Sequence, residues 1–450
     1  MMSTDTASQK QVYDFLLQSQ FWPAAKLVAY QRSQLSQLLR FAYDKVPFYR
    51  DRLKPIIRQD GQIDWSHWHE VPILKRQDLI DHRQAMLAPV LPQGHGIWSD
   101  HEGSGTTGKP VTTRHNMLTA VASTNAMMRA FNWHQADFSR NVVEWMGNAE
   151  DVGAWPEGQD QGPWGPPWDP RSKSGHHIRI NRATSEENVA EFLQRKKPAY
   201  FSGRPRSLQA VALAAERLGM EIKLDGLFTL STASTQEERD DCLRVFGARM
   251  ISVYSSKEVY NIAHQCPSGQ HYHVNSELLL VEVVDDQGRP CPAGMRGNCI
   301  VTSFFNTAQP FIRYELGDQV TLGEACGCGR QLPVIESIDG RTTHLYRLPG
   351  GRKIAPSIPP HFRSLIGAIS WQMAQVGPLT FELRYLSDGS GSPQDFEAFT
   401  REVRKRTDPA AEVIYKRVDV LPLTASGKFL EYVCELPAEL DGPQTQASAV

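Results

Sequence analysis

The stretch HEGSGTTGKPVTTRHN, residues 101–116, is the densest Gly/Thr cluster in the chain, and its reading decides the fold. Residues 103–108, GSGTTG, carry the letters of a dinucleotide fingerprint, and residues 103–109 carry most of the phosphate-loop pattern. The flanks choose between them. A dinucleotide loop follows a buried strand and opens a helix, yet HGIWSDHE before the loop is only weakly apolar and the residues after Pro110 favour extended backbone. A Walker loop places a hydroxyl on Mg²⁺ directly after its lysine, and Pro110 occupies that place. Besides an ordinary polar turn, one reading survives. It is a loop between two extended segments whose amides at Gly105 and Gly108, hydroxyls at Ser104, Thr106 and Thr107, and ammonium at Lys109 wrap a polyphosphate.

Outward from the loop, the pattern is that of a large globular chain. Its 450 residues allow two or three domains. Lys plus Arg is 48 against 50 Asp plus Glu, a net charge of -2 that gives no electrostatic case for nucleic acid or anionic lipid. No apolar run approaches the roughly 20 residues of a membrane span. The polar start has no apolar signal core, so a cytoplasmic location is expected, with neither membrane nor nucleic acid as partner. Helical spacing over Gln11–Asp51 stops at Pro47, and Met117–Trp133 is helical again. Between Trp145 and Asn181, Trp145, Trp155, Trp164 and Trp168 alternate with prolines, a long ordered loop that either roofs a cleft or plugs the fold. From Glu186 onward, helical segments alternate with the short apolar runs Tyr200–Phe201, Gly226–Leu230 and Met250–Tyr254, the sign of βαβ units on a covered sheet. A hairpin follows, LLLVEVVDD turning at Gly288 into CIVTSFF, and the texture changes near Gly340.

The remaining motifs fall in a set. SGTTGKP at 104–110 is similar in letters to the phosphate loop of the adenylate-forming, or acyl-CoA ligase, superfamily. VPFYR at 46–50 and VPILKRQDL at 71–79 resemble the N-terminal signature of its phenylacetate-CoA ligase and CapK-like branch. FGARMISVYSSKE at 246–258 resembles the YGxTE segment, QPFIRYELGDQ at 309–319 the PLIRYRTxD segment, ESIDGRTT at 336–343 the hinge, and LTASGKFLE at 423–431 the TxSGK segment. The resemblance runs over nearly the whole chain. It implies an α/β fold with a large N-terminal domain of stacked sheets and helices, 1–340, hinged to a small α+β C-terminal lid, 341–450, with the active site between them.

The implied reaction joins a small carboxylic acid to ATP as acyl-AMP, with release of pyrophosphate, and then passes the acyl group to CoA. An aromatic or arylacetic acid is expected from the branch. In-line attack at phosphorus brings anions together and needs cations and oriented donors. By resemblance, Lys428 bridges the carboxylate and the α-phosphate, and Glu258 holds Mg²⁺. Asp318 accepts the ribose hydroxyls, with Arg341 as a phosphate or ribose contact. Tyr254 lies against adenine or the acyl pocket, Thr232, Ala233 or the backbone there contacts adenine, and Trp145 and Tyr254 line the substrate pocket. Taken singly, each charged residue would read as a solvated surface group. Ser255, Lys257, Ser234 and Thr343 depart from the usual letters, as does the loop at 347–356. Thr343, where relatives have a hinge Asp, motivates an alternative acceptor, an amine or a carrier-protein thiol. A further alternative is a degenerate nucleotide-binding protein. A homodimer is left open.

Cysteines supply a separate signal. Cys266, His271 and His273 are followed about fifty residues later by Cys326-Gly-Cys328. Three thiolates and one imidazole complete a tetrahedral structural Zn²⁺ site with no position open for water. The resemblance favours Cys266, His273, Cys326 and Cys328 as ligands, and unmetallated buried thiols are the rival reading.

Overall fold

The computed structural model describes residues 6–102, 111–146, 153–166, 168, 174–229, 234–341, 346–354, 358, 365–387, 395–422 and 430–437. The chain divides into a large unit spanning Met1–Glu102 and Thr112–Ile338 and a small one that takes in Asp339–Val450.

The large unit opens with helices α1 (Thr6–Ser19) and α2 (Ala24–Lys45), separated at Pro23, and the short helices α3 (Tyr49–Leu53), α4 (Arg76–Asp81) and α5 (Arg83–Met86). Leu35, Leu38, Leu39 and Ala42 put one buried face on α2, and Pro47 follows its end. Strands β1 (Trp98–Glu102) and β2 (Thr112–Asn116) pair antiparallel on either side of the Gly/Thr loop. Helix α6 (Met117–Trp133) starts where the Asn116 side chain accepts from the Thr119 amide.

The alternating region then forms as its periodicity predicts. It comprises β3 (Val142–Trp145), β4 (Gln159–Pro163), β5 (His176–Ile180), α7 (Glu186–Lys196), β6 (Tyr200–Gly203), α8 (Pro205–Arg217), β7 (Gly226–Thr229), α9 (Gln236–Phe246) and β8 (Met250–Ser256). Helix α9 is bounded by local chemistry at both ends. Thr235 and Glu238 form a capping box, and Gly247 takes a left-handed φ of 70° that few other residues accept. Antiparallel strands follow: β9 (Tyr260–Gln265), β10 (Tyr272–Val274), β11 (Leu279–Val284), β12 (Arg296–Ser303), β13 (Tyr314–Gly323) and β14 (Val334–Arg341). Among the described residues these join in one twelve-stranded order, β11-β12-β13-β14-β10-β9-β8-β7-β6-β3-β5-β4. Strands β5, β3, β6, β7 and β8 run parallel, and the rest pair antiparallel where their registers are given.

Period-two alternation sorts the parallel strands into two faces. Val143, Trp145, Ile180, Phe201 and Leu227 enter the core under α7 and α8. Val142, Glu144, Ser202 and Phe228 face the other way, toward α6. The tryptophan-rich stretch is therefore partly strand, since β4 pairs antiparallel with β5.

The small unit holds the pair β15 (Tyr346–Arg347) and β16 (Lys353–Ile354), and strands β17 (Ala368–Gln375), β18 (Thr380–Ser387), β19 (Glu412–Arg417) and β20 (Tyr432–Cys434) in the order β19-β18-β17-β20. Helix α10 (Phe396–Arg406) packs Phe399 and Val403 into a core with Tyr346, Trp371 and Phe381. Among the described residues no helix is long and apolar enough to cross a membrane.

Candidate active site

Strand β8 carries the 246–258 motif and brings it against the 309–319 motif. Tyr254 Oη donates to Asp318 Oδ2 at 2.8 Å. Burial, and beside it Cys299 and the Asp318 carboxylate, push the Tyr254 phenol well above its usual value, so it stays a donor. Glu258 follows β8, and its Oε1 receives Tyr314 Oη at 3.3 Å with Arg76 Nη1 at 3.9 Å. Arg76 belongs to the 71–79 motif, which docks by backbone bonds. The Leu74 amide donates to the Arg313 carbonyl at 2.9 Å, and the Glu315 amide returns to the Leu74 carbonyl at 2.9 Å. Three motifs distant in sequence thus share one place, with hydroxyl, carboxylate and guanidinium groups converging there. Lys257 reaches the Glu102 carbonyl at 2.7 Å, which ties the end of β8 to the strand leading into the Gly/Thr loop.

Ser104, Gly105, Thr106, Thr107, Gly108, Lys109, Thr232, Ala233 and Lys428 lie outside the described residues, as does Thr343. Arg341 ends β14, and its side chain is likewise outside what is described.

Next to this convergence lies a cavity of about 320 Å³ between α6 and the strands β3, β6, β7 and β8. Its wall includes Met127, Phe131, Trp164 and Phe228, and it reaches Ile251–Val253, the residues that lead into Tyr254. Neither Trp145 nor Tyr254, the two residues expected to line the substrate pocket, is among the residues of this wall. Trp145 occupies the opposite face of β3, buried in the α7–α8 core, with Nε1 donating to the Asn181 carbonyl at 3.1 Å. Trp155 packs against that same core. Trp164 and Phe228 supply the aromatic wall instead.

Sequence reasoning missed Glu144 and His177, which also line the cavity. Glu144 Oε2 accepts from Arg179 Nε at 2.6 Å and from His177 Nε2 at 3.0 Å. Burial pushes the Glu144 carboxyl up, but the His177 hydrogen bond and the Arg179 charge outweigh it and hold the group below the usual carboxylate range. The available signal was an acidic residue inside the apolar run NVVEW.

The cysteine cluster also assembles. Cys266 Sγ lies 3.8 Å from Cys326 Sγ, Cys328 Sγ lies 3.3 Å from His273 Nε2, and His271 Nε2 lies 3.0 Å from Cys326 Sγ. Cys266, His271, His273 and Cys326 offer donor atoms within 4.8 Å of one another. The structure therefore brings His271 to the cluster as closely as His273. His273 has the better posture for a ligand, because Nδ1 faces the Leu332 carbonyl at 3.4 Å and leaves Nε2 toward the thiols. Burial lowers its pKa to about 4, which keeps the imidazole in the neutral form that binds metal.

A scan of known protein families gives no match for this chain. Its sequence is 26% identical over 375 residues to phenylacetate-coenzyme A ligase of Thermus thermophilus, covering 76% of this chain and 79% of that one. Among solved structures it superposes on 2-hydroxyisobutyryl-CoA ligase in complex with 2-HIB-AMP in the postadenylation state. That match has a TM-score of 0.72 and 20% identity, and covers 93% of this chain and 91% of that one. The anthranilate CoA ligase AuaEII in complex with anthranoyl-AMP matches at a TM-score of 0.52 and 17% identity, over 73% and 64% of the two chains. The chain thus has the fold of the adenylate-forming CoA ligases, and the likeness to phenylacetate-CoA ligase agrees with the branch that its motifs resemble.

Proposed function

We propose that this protein is an AMP-forming acid–thiol ligase that activates a carboxylic acid as acyl-AMP and transfers it to CoA. The observation that carries the reading is the convergence of Tyr254, Asp318, Glu258 and Arg76 from three separate motifs beside an apolar cavity. The sequence relative, a phenylacetate-coenzyme A ligase, supports the same chemistry. ATP, the acid and CoA are the small-molecule partners, and the cytoplasm is where they meet. An aromatic or arylacetic acid is the substrate class that the aromatic wall suits.

In this reading Asp318, oriented by Tyr254, binds the ribose, and Glu258 offers a hard oxygen to Mg²⁺. Magnesium would supply charge neutralisation at the phosphates. The Gly/Thr loop from Ser104 to Lys109 wraps the pyrophosphate, Thr232 and Ala233 flank adenine, and Arg341 contacts phosphate or ribose. Lys428, carried on a lid that begins near residue 341, stabilises the charge that develops as the carboxylate attacks. The cluster Cys266, His273, Cys326 and Cys328 holds a structural Zn²⁺. The 3.8 Å between the Cys266 and Cys326 sulfurs and the contact of Cys328 with His273 support this set, and His271, which joins Cys266, His273 and Cys326 within 4.8 Å, is the alternative ligand.

The test is Lys428→Ala. It should lower acyl-AMP formation by about 10²–10³-fold while leaving ATP binding in place and lowering thioester formation from supplied acyl-AMP far less, because only the first step brings the carboxylate against the α-phosphorus, the approach that Lys428 is assigned to assist. Undiminished adenylation by that variant would remove the assignment.

A further inference from the structure

Glu144 is a carboxylate on the wall of the cavity to which the proposed adenylation assigns no role. β3 is an interior strand, paired in parallel with β5 on one side and β6 on the other. Such strands are normally apolar on both faces, so a carboxylate there needs a reason. Its Oε2 takes both donors, His177 Nε2 and Arg179 Nε. Among the described residues, none donates to Oε1, and the Glu144 side chain keeps 14% of its surface open on the cavity wall.

The rest of that wall is apolar and aromatic. The Phe131 ring centroid lies 4.5 Å from that of Phe228 and 5.7 Å from that of Trp164, with Met127 alongside. A flat ring suits such a wall. Glu144 stands level with Ile251 of β8, across Ser202 of β6 and Phe228 of β7. Strands β6 and β7 separate β3 from β8, three inter-strand steps or about 14 Å. That width admits a substituted ring lying along the apolar wall with Glu144 at its β3 side. An unsubstituted ring would displace water from Oε1 and offer it no donor, and an acceptor left unpaired in this way costs affinity.

We propose that the acid taken by this cavity is an aryl carboxylic acid bearing a hydroxyl or amino group on the ring remote from its carboxylate, and that Glu144 accepts a hydrogen bond from that donor while His177 and Arg179 fix it in place. The proposal rests on the ligase reading and assigns its specificity. Glu144 is a substrate-recognition residue, and Arg179 and His177 act through it as positioning residues.

The experiment uses the full chain and compares matched acids, phenylacetate against its 4-hydroxy and 4-amino derivatives, and benzoate against the same derivatives, in acid-dependent ATP–pyrophosphate exchange. The donor-bearing acid should be favoured by about 10- to 100-fold in kcat/KM, as a hydrogen bond to a charged group implies. Glu144→Leu should bring that ratio toward one. Glu144→Gln, which keeps the shape and an acceptor but not the charge, should give an intermediate ratio and serves if the leucine variant does not fold. A wild type indifferent to ring substitution, or a ratio unchanged in both variants, overturns the proposal while leaving the ligase reading intact. Absence of exchange with every acid contradicts the ligase reading instead, and calorimetric binding of the same pairs then decides the cavity. Tighter binding of the hydroxylated acid that is lost in Glu144→Leu supports the assignment, and equal or undetectable binding overturns it.

Discussion

Arg129 shows how one side chain can bind three elements together. Its guanidinium, fully buried, donates to Glu277 Oε1 at 2.6 Å, to the Leu16 carbonyl at 3.1 Å and to Asn275 Oδ1 at 2.9 Å, while Ser19 Oγ donates to the same Glu277 oxygen at 2.7 Å. Helices α1 and α6 and the segment after β10 thus meet on one charge pair. Removing one partner of such a pair strands the other, at a cost of about 3–5 kcal/mol. Arg129→Ala should lose stability of that order in urea unfolding, and a loss below about 1 kcal/mol would show that the pair is solvated or replaceable. Residue-scale reading from sequence stops where a strand is covered on both sides. The letters of NVVEW give the alternation but not which face meets the core, and so Trp145 was expected in the pocket whereas Glu144 is there.

At the scale of elements, the cysteine cluster ties β9 to β10 and to the loop before β14. Cys266 follows β9, His273 is within β10 opposite Val334, and Cys326 and Cys328 lie after β13. The purified protein should carry about one zinc per chain, and chelation should lower its thermal midpoint more than it lowers its rate at low temperature. A metal-free protein of equal stability would remove the site. Cysteine spacing made the cluster legible, but choosing between His271 and His273 requires the β9–β10 register, in which His273 faces His264. Helices α7, α8 and α9 were legible because their apolar period is strong and their ends carry caps such as Ser185 and the Thr235–Glu238 box. The strand β4 was not. Its letters QDQGP are polar, and it exists only because β5 offers an edge to pair with.

For the whole molecule, the motifs were readable as letters and the fold explains why they recur together. The 71–79 segment pairs beside the start of β13, β13 sets Asp318 against Tyr254, and β8 runs from the cavity wall to Glu258. Chain segments far apart in sequence are thereby held around one candidate site, and in the proposed reaction such an arrangement would lower the entropy cost of joining two substrates. What sequence could not supply was the cavity, since its wall takes alternate residues from several strands and one helix and no linear motif marks it. The most direct measurement of the central claim is acid-dependent ATP–pyrophosphate exchange by the full chain across aryl, arylacetic, amino and fatty acids. Exchange that requires a carboxylic acid and is strongest with ring-bearing acids is the predicted result. ATP binding without exchange for any acid would contradict it and leave a protein that has the fold but not the reaction.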